Sequence, residues 1–171
     1  MNRRQRQDGI GLLEVLLAVV LLSIGFLATA RMQVQSLAYS QHAYTVSQAK
    51  YLVLDMSERM RANRTGLRAG LYDGLTTAPN TSMPACVTGG TSCSAAERVA
   101  ADRHVWSEAL HPDVEGALPR LPSSAAVPAV GRVTLDTTSG AYQVSVTYAD
   151  RQGDTDAARQ VAVQIIPASL P

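Results

Sequence analysis

No proline occurs before Pro79, and lysine occurs once, at Lys50, in a chain of 171 residues. The first absence leaves the amino-terminal half free to be helical, because proline is the residue that most firmly breaks a helix. The second leaves arginine as almost the whole basic complement, which reflects base composition as readily as chemistry and points to no partner. The three histidines stand apart, no phosphate-binding glycine loop is present, and no nucleophile, base and orienting group fall in a recognisable spacing. The chain is therefore not read as an enzyme, and no cofactor is expected. A net charge of only +1 implies no polyanionic partner. With 46% hydrophobic and 17% charged residues the composition is that of a folded protein, and the length suits one domain, which excludes a large multidomain enzyme.

What is present is uneven. Residues Ile10 to Ala30 are almost wholly apolar, while the chain from Arg31 onward reads as water-soluble sequence. As a helix the 21-residue run extends about 31 Å, close to the hydrocarbon thickness of a bilayer. Arg3, Arg4 and Arg6 precede it, opposed by Asp8, and a short basic segment before an apolar run stays on the cytoplasmic side. The exception in the run is Glu14, whose ionised form at a bilayer centre costs about 2.5–3.5 kcal/mol. A carboxylate in that position needs a partner, protonation or a reach back to the headgroups. A rival reading takes Ala28-Thr29-Ala30 as an ordinary secretory cleavage site. The usual apolar region of such signals is 7–15 residues, shorter than this one.

The stretch Gly9-Ile10-Gly11-Leu12-Leu13-Glu14-Val15-Leu16-Leu17, behind a basic leader, resembles the class III signal of type IV prepilins. The resemblance implies that prepilin peptidase cuts between Gly9 and Ile10 and that the apolar segment is retained. It also implies N-methylation of the new terminus at Ile10, although the family usually has Phe where this chain has Ile10 and Thr or Ser where it has Gly11. Cleavage would create an α-amino cation four residues before Glu14. The resemblance further implies that Glu14 pairs with the terminus of a neighbouring subunit, where leaving either charge unpaired costs several kcal/mol and so enforces register.

Arg31 to Asn63 is rich in residues that favour or tolerate helix, so the helix is expected to continue to about Ala62, a length of about 80 Å. Ala49, Leu52, Val53, Met56 and Met60 recur at three- and four-residue steps and form one stripe for docking on a globular part. Ser23 and Gly25 are expected points of bending. Asp55-Met56-Ser57-Glu58-Arg59-Met60-Arg61-Ala62-Asn63-Arg64 reads as a helix end, with Asn63 as cap and Gly66 at positive φ. Its Arg59, Arg61, Arg64 and Arg68 also raise a DNA-binding reading, which the lack of interleaved aromatics disfavours.

The same segment resembles the ERMRAN stretch that ends the long helix in the PilV group of minor pilins, also called type IV pilus modification proteins. Asp102 to Leu110 with Trp106, Ala117-Leu118-Pro119, and Gly140 to Tyr148 follow in that group's order, with Tyr148 where many members carry Trp.

Leu67 to Ser94 reads as an irregular loop that holds both cysteines, Cys86 and Cys93. Export would place them in an oxidising compartment, where an even pair reads first as a disulfide. A zinc pair is the competitor, but the spacing is wide and His104 and His111 form no ligand motif. Ser94 and Glu97 match a capping box opening a helix to about Leu110, with Trp106 as a core anchor. After a linker punctuated by Pro112, Pro119, Pro122 and Pro128, alternation predicts strands over Gly131 to Asp136, the stretch around Tyr142, Val144, Val146 and Tyr148, and Gln160 to Ile166. Turns are expected near Ser139-Gly140 and Gln152-Gly153. Asp150, Asp154 and Asp156 lack the spacing of a calcium loop and read as a solvated turn.

The expected fold class is α+β and type IV pilin-like: a long amino-terminal helix, half membrane-spanning and half amphipathic, packed on a small antiparallel sheet. The expected divisions are a leader at 1–9, a transmembrane and assembly half at 10–30, an amphipathic half at 31–66 and a globular region at 67–171. The resemblance implies a minor pilin that helps prime pilus assembly at or near the tip, supporting twitching motility and adhesion. Its implied partners are other minor pilins, the major pilin, prepilin peptidase and a tip adhesin. The implied location is the inner membrane, with the carboxy-terminal region periplasmic, and then the pilus at the cell surface. The alternatives are a minor pseudopilin of a type II secretion system and a filament-borne DNA receptor.

Overall fold

The computed structural model describes residues 10–112, 119–152 and 155–166. The chain begins with helix α1, Ile10–Ala62. Two short helices, α2 at Arg64–Arg68 and α3 at Ala85–Thr88, precede α4 at Ala95–Leu110. Strands β1, Val130–Asp136, β2, Ala141–Gln152, and β3, Thr155–Ile165, complete the order. The long apolar helix with a small three-stranded antiparallel sheet is the expected α+β architecture and is consistent with a type IV pilin fold.

The chain divides into two compact units, one up to His42 and one from Ala43 onward. In the first unit α1 passes Ser23 and Gly25 as unbroken helix, so the helix does not melt there. Ser23 Oγ donates to Val19 O at 2.7 Å, so its hydroxyl bonds back to the preceding turn of the helix.

In the second unit the predicted stripe of α1 lies inside the core. Ala49, Leu52, Val53, Met56 and Met60 join Trp106 and Leu110 of α4 and Val133, Tyr142, Val144, Val146, Tyr148 and Ile165 of the sheet. The sheet is a meander of order β1-β2-β3. β1 and β2 pair from Val130↔Thr147 to Asp136↔Ala141, and β2 and β3 from Tyr142↔Ile165 to Gln152↔Thr155. In the β1–β2 turn Gly140 takes φ +68° and donates to Asp136 O at 2.7 Å, a conformation that favours glycine. Gly153 and Asp154, in the second expected turn, lie outside the described residues, as do Ala117 and Leu118.

Some expectations need correction. Gly66 does not adopt positive φ; it sits within α2, where a Cβ would fall 2.6 Å from Asn63 Nδ2. Asn63 serves two helices: its N–H donates to Arg59 O at 3.1 Å, closing α1, and its Oδ1 accepts from Gly66 N at 3.2 Å, capping α2. Residues 67–94 are less irregular than read, because Thr76 bridges to Arg132 and residues 85–88 form α3. The third strand begins at Thr155 rather than Gln160; Ser145 and Ala149, on the face of β2 opposite Tyr142, Val144, Val146 and Tyr148, are buried as well. Ala149 N donates to Pro122 O at 3.1 Å, so the linker runs beside β2 beyond the end of β1.

Candidate assembly helix and the lock at its end

Every residue from Gly11 to Ser40 is exposed, and the large apolar side chains of that stretch are bare: Leu12 is 74% exposed, Phe26 68% and Leu37 64%. α1 is the one helix among the described residues long and apolar enough to cross a membrane. Its polar groups fit that environment. Thr29 Oγ1 donates to Phe26 O at 2.9 Å, as Ser23 does to Val19, so neither hydroxyl is left without a bond. Glu14 lies in the second turn and is exposed within the single chain; no acid occupies the first turn. Gly9 lies outside the described residues, and Ile10 is described only as the first residue of α1.

At the other end of α1 the ERMRAN-like segment has a clear structural meaning. Met56 and Met60 are fully buried, while residues between them turn toward polar partners. Arg59 Nε donates to Asp55 Oδ2 at 2.9 Å, and its Nη1 lies 3.8 Å from Asp102 Oδ1 of α4. Asn63 Nδ2 donates to Tyr72 Oη at 3.1 Å and to Ala95 O at 2.9 Å. Tyr72 Oη in turn donates to Asp102 Oδ2 at 2.6 Å. One polar cluster therefore ties the end of α1 to the chain after α2 and to both ends of the first turns of α4. Tyr142 Oη adds a bond to Leu67 O at 2.9 Å, joining α2 to β2.

Burial sets the electrostatics of this cluster. It raises the Tyr72 phenol well above its ordinary 10.0, and the hydrogen bond to Asp102 pushes the same way. Burial also raises the Asp102 carboxyl, outweighing the Tyr72 hydrogen bond and the nearby Arg59 charge that act to lower it. Arg61 pairs with Glu58 at 2.5 Å, so Arg59 and Arg61, both considered for DNA, are engaged within the fold.

The capping box at α4 is complete: Ser94 Oγ accepts from Glu97 N at 3.3 Å, and Glu97 Oε2 accepts from Ser94 N at 2.8 Å. The bond from Ser94 N, joined by one that Ser94 Oγ donates to the same Oε2 at 2.7 Å, holds the exposed Glu97 carboxyl below the usual range. Cys86 and Cys93 form a disulfide with Cα atoms 5.2 Å apart. His104 and His111 are not drawn to them: His104 Nδ1 lies 3.0 Å from Thr81 Oγ1. Asp150 pairs with Arg159, Asp154 lies outside the described residues, and among the described residues no three His, Cys, Asp or Glu side chains converge to hold a metal.

Residues 31–106 match the family described as Tt1218-like, type IV pilin Tt1218. The match supports a type IV pilin. It starts beyond the apolar run, so it owes nothing to the prepilin-like start at Gly9 to Leu17, and it ends at Trp106, before the sheet. The pilin match spans Arg59, Asn63, Tyr72, Ala95 and Asp102, the residues that lock the end of α1. No curated protein and no solved structure matches the chain.

Tyr72 is the member of this cluster that the sequence did not single out. It sits in a glycine-flanked turn without periodicity, and its importance comes from Asn63 and Asp102, nine and thirty positions away.

Proposed function

We propose that the chain is a minor pilin of the PilV type, made as a prepilin, cut between Gly9 and Ile10, and held in the inner membrane by the first half of α1 until it enters a pilus. The observation that carries this reading is the contrast along one helix. Apolar residues are bare from Leu12 to Leu37, whereas from Ala49 the core stripe is buried. Burying apolar surface contributes about 25 cal/mol per Å², so the bare half calls for lipid first and helices of other pilins afterwards. Assembly with other pilins follows from the family match; a place at or near the tip, a priming role with other minor pilins, contact with a tip adhesin, and support of twitching and adhesion rest on the PilV resemblance. Glu14 is assigned to pairing with the amino terminus of a neighbouring subunit, and methylation to Ile10.

Sequencing the mature amino terminus tests the first step: a start at Ile10 is expected, and a start at Arg31 would overturn the reading. A deletion strain tests the second. Lost or depleted pili with intact protein secretion is expected; retained pili with blocked exoprotein release would assign the chain to a secretion system instead.

A further inference from the structure

The two edges of the sheet are treated differently by the chain. Beyond β1, Thr77 N donates to Gly131 O at 3.0 Å, Val133 N donates to Leu75 O at 2.8 Å, and Leu135 N donates to Asp73 Oδ1 at 2.8 Å. That edge is covered by the chain's own residues 73–77. These bonds also determine which way every amide of the sheet points, because alternate residues of an antiparallel ladder bond to opposite sides. Gly131 and Val133 point away from β2, so Arg132 and Thr134 point toward it, to Ser145 and Gln143. Val144, Val146 and Tyr148 then point to β3, to Val163, Val161 and Arg159. The intervening residues Ala158, Gln160, Ala162 and Gln164 aim their N–H and C=O groups outward.

All four are exposed, and among the described residues nothing bonds to these four from that side. Natural edge strands are normally blunted by lysine, proline, a bulge or an inward charge. β3 has none of these between Gln160 and Ile165, its register with β2 is unbroken, and its nearest charge, Arg159, is engaged with Asp150. We propose that the outer edge of β3 is a docking site for an extended segment of another polypeptide, added as a fourth strand through Ala158, Gln160, Ala162 and Gln164. Only a second backbone presents alternating donors and acceptors at the strand spacing this edge requires. Val161 and Val163, partly buried at the rim of the core, select apolar residues at alternate positions of the incoming segment. The small and amide side chains on the other face accept polar, uncharged ones.

The proposal does not rest on the pilin reading. Amide-resolved hydrogen exchange on the full chain in detergent tests whether the edge is open: Ala158, Gln160, Ala162 and Gln164 should exchange at least about tenfold faster than Val161 and Val163. Equal protection of both sets, or protection that grows with protein concentration through self-pairing, overturns it. In cells, a photoreactive residue at Gln160 should give an adduct with a different polypeptide, mapped to an extended stretch with alternating apolar residues. Ala162→Pro removes one outward N–H and no bond to β2, and should abolish the adduct while Val161 and Val163 stay protected. If that variant loses its fold, Ala162→Lys serves the same purpose. An absent adduct, one formed only with a second copy, or one that survives the substitution in a folded chain overturns the proposal. Cleavage and pilus entry are read separately, so either conclusion can fail without the other.

Discussion

At Glu14 and Tyr72 a single polar group sits where apolar surroundings make an unpaired one expensive, but the two have different partners. Tyr72 finds its partners inside the chain; Glu14 is exposed on a bare apolar helix and is proposed to find its partner in another subunit. Glu14→Ala is therefore expected to be exported and cleaved normally yet to enter pili poorly, measured by comparing the chain in sheared pili and in membranes. Normal incorporation would remove the pairing model. Tyr72→Phe deletes a hydroxyl that donates to Asp102 and accepts from Asn63, leaving a largely buried carboxylate short of a donor. A loss of about 1.5–3 kcal/mol in denaturant unfolding is expected at neutral pH. Because the folded phenol is raised above 10.0, the stability it contributes is complete below about pH 10 and is lost as pH rises toward the folded value. Phenylalanine has no such loss, so the gap between the two proteins should narrow above pH 10; a constant gap would show that the phenol is not held protonated.

At the scale of elements, α4 meets β1 through one close approach. A Cβ at Gly131 would lie 2.7 Å from the indole Cη2 of Trp106, which is 1% exposed. Gly131→Ala should cost about 1–3 kcal/mol and change tryptophan fluorescence, since either the ring or the strand must shift. An unchanged stability would mean that α4 slides freely on the sheet. The periodicities that define α1, α4 and the strands are local, which is why their kinds and most of their ends were legible: Ser94 and Glu97 announce a helix start three residues apart, and Tyr142, Val144, Val146 and Tyr148 alternate. Gly131 was legible only as a residue near a strand start. The reason it must be glycine is an indole on another element, and no local pattern carries that information.

For the whole molecule, the core of the second unit begins at Ala49, and none of its buried residues comes from the apolar run. A chain beginning at Arg31 is expected to stay soluble without detergent and to unfold in one cooperative transition, checked by gel filtration and thermal melting. Aggregation of that fragment would show that the apolar half is needed for the fold and not only for anchoring. The membrane-length run, the lone acid within it, the amphipathic stripe, the capping box and the three strands follow from composition and spacing, because burial along a helix or strand imposes its own period on the chain. Tertiary structure alone decided that Asn63 reaches Tyr72 and Ala95, that Tyr142 bonds to Leu67 across 75 positions, and that residues 73–77 close one sheet edge. Those outcomes depend on which elements become neighbours once the core forms, and a hydrogen bond between distant residues leaves no repeat in the sequence from which it could be read.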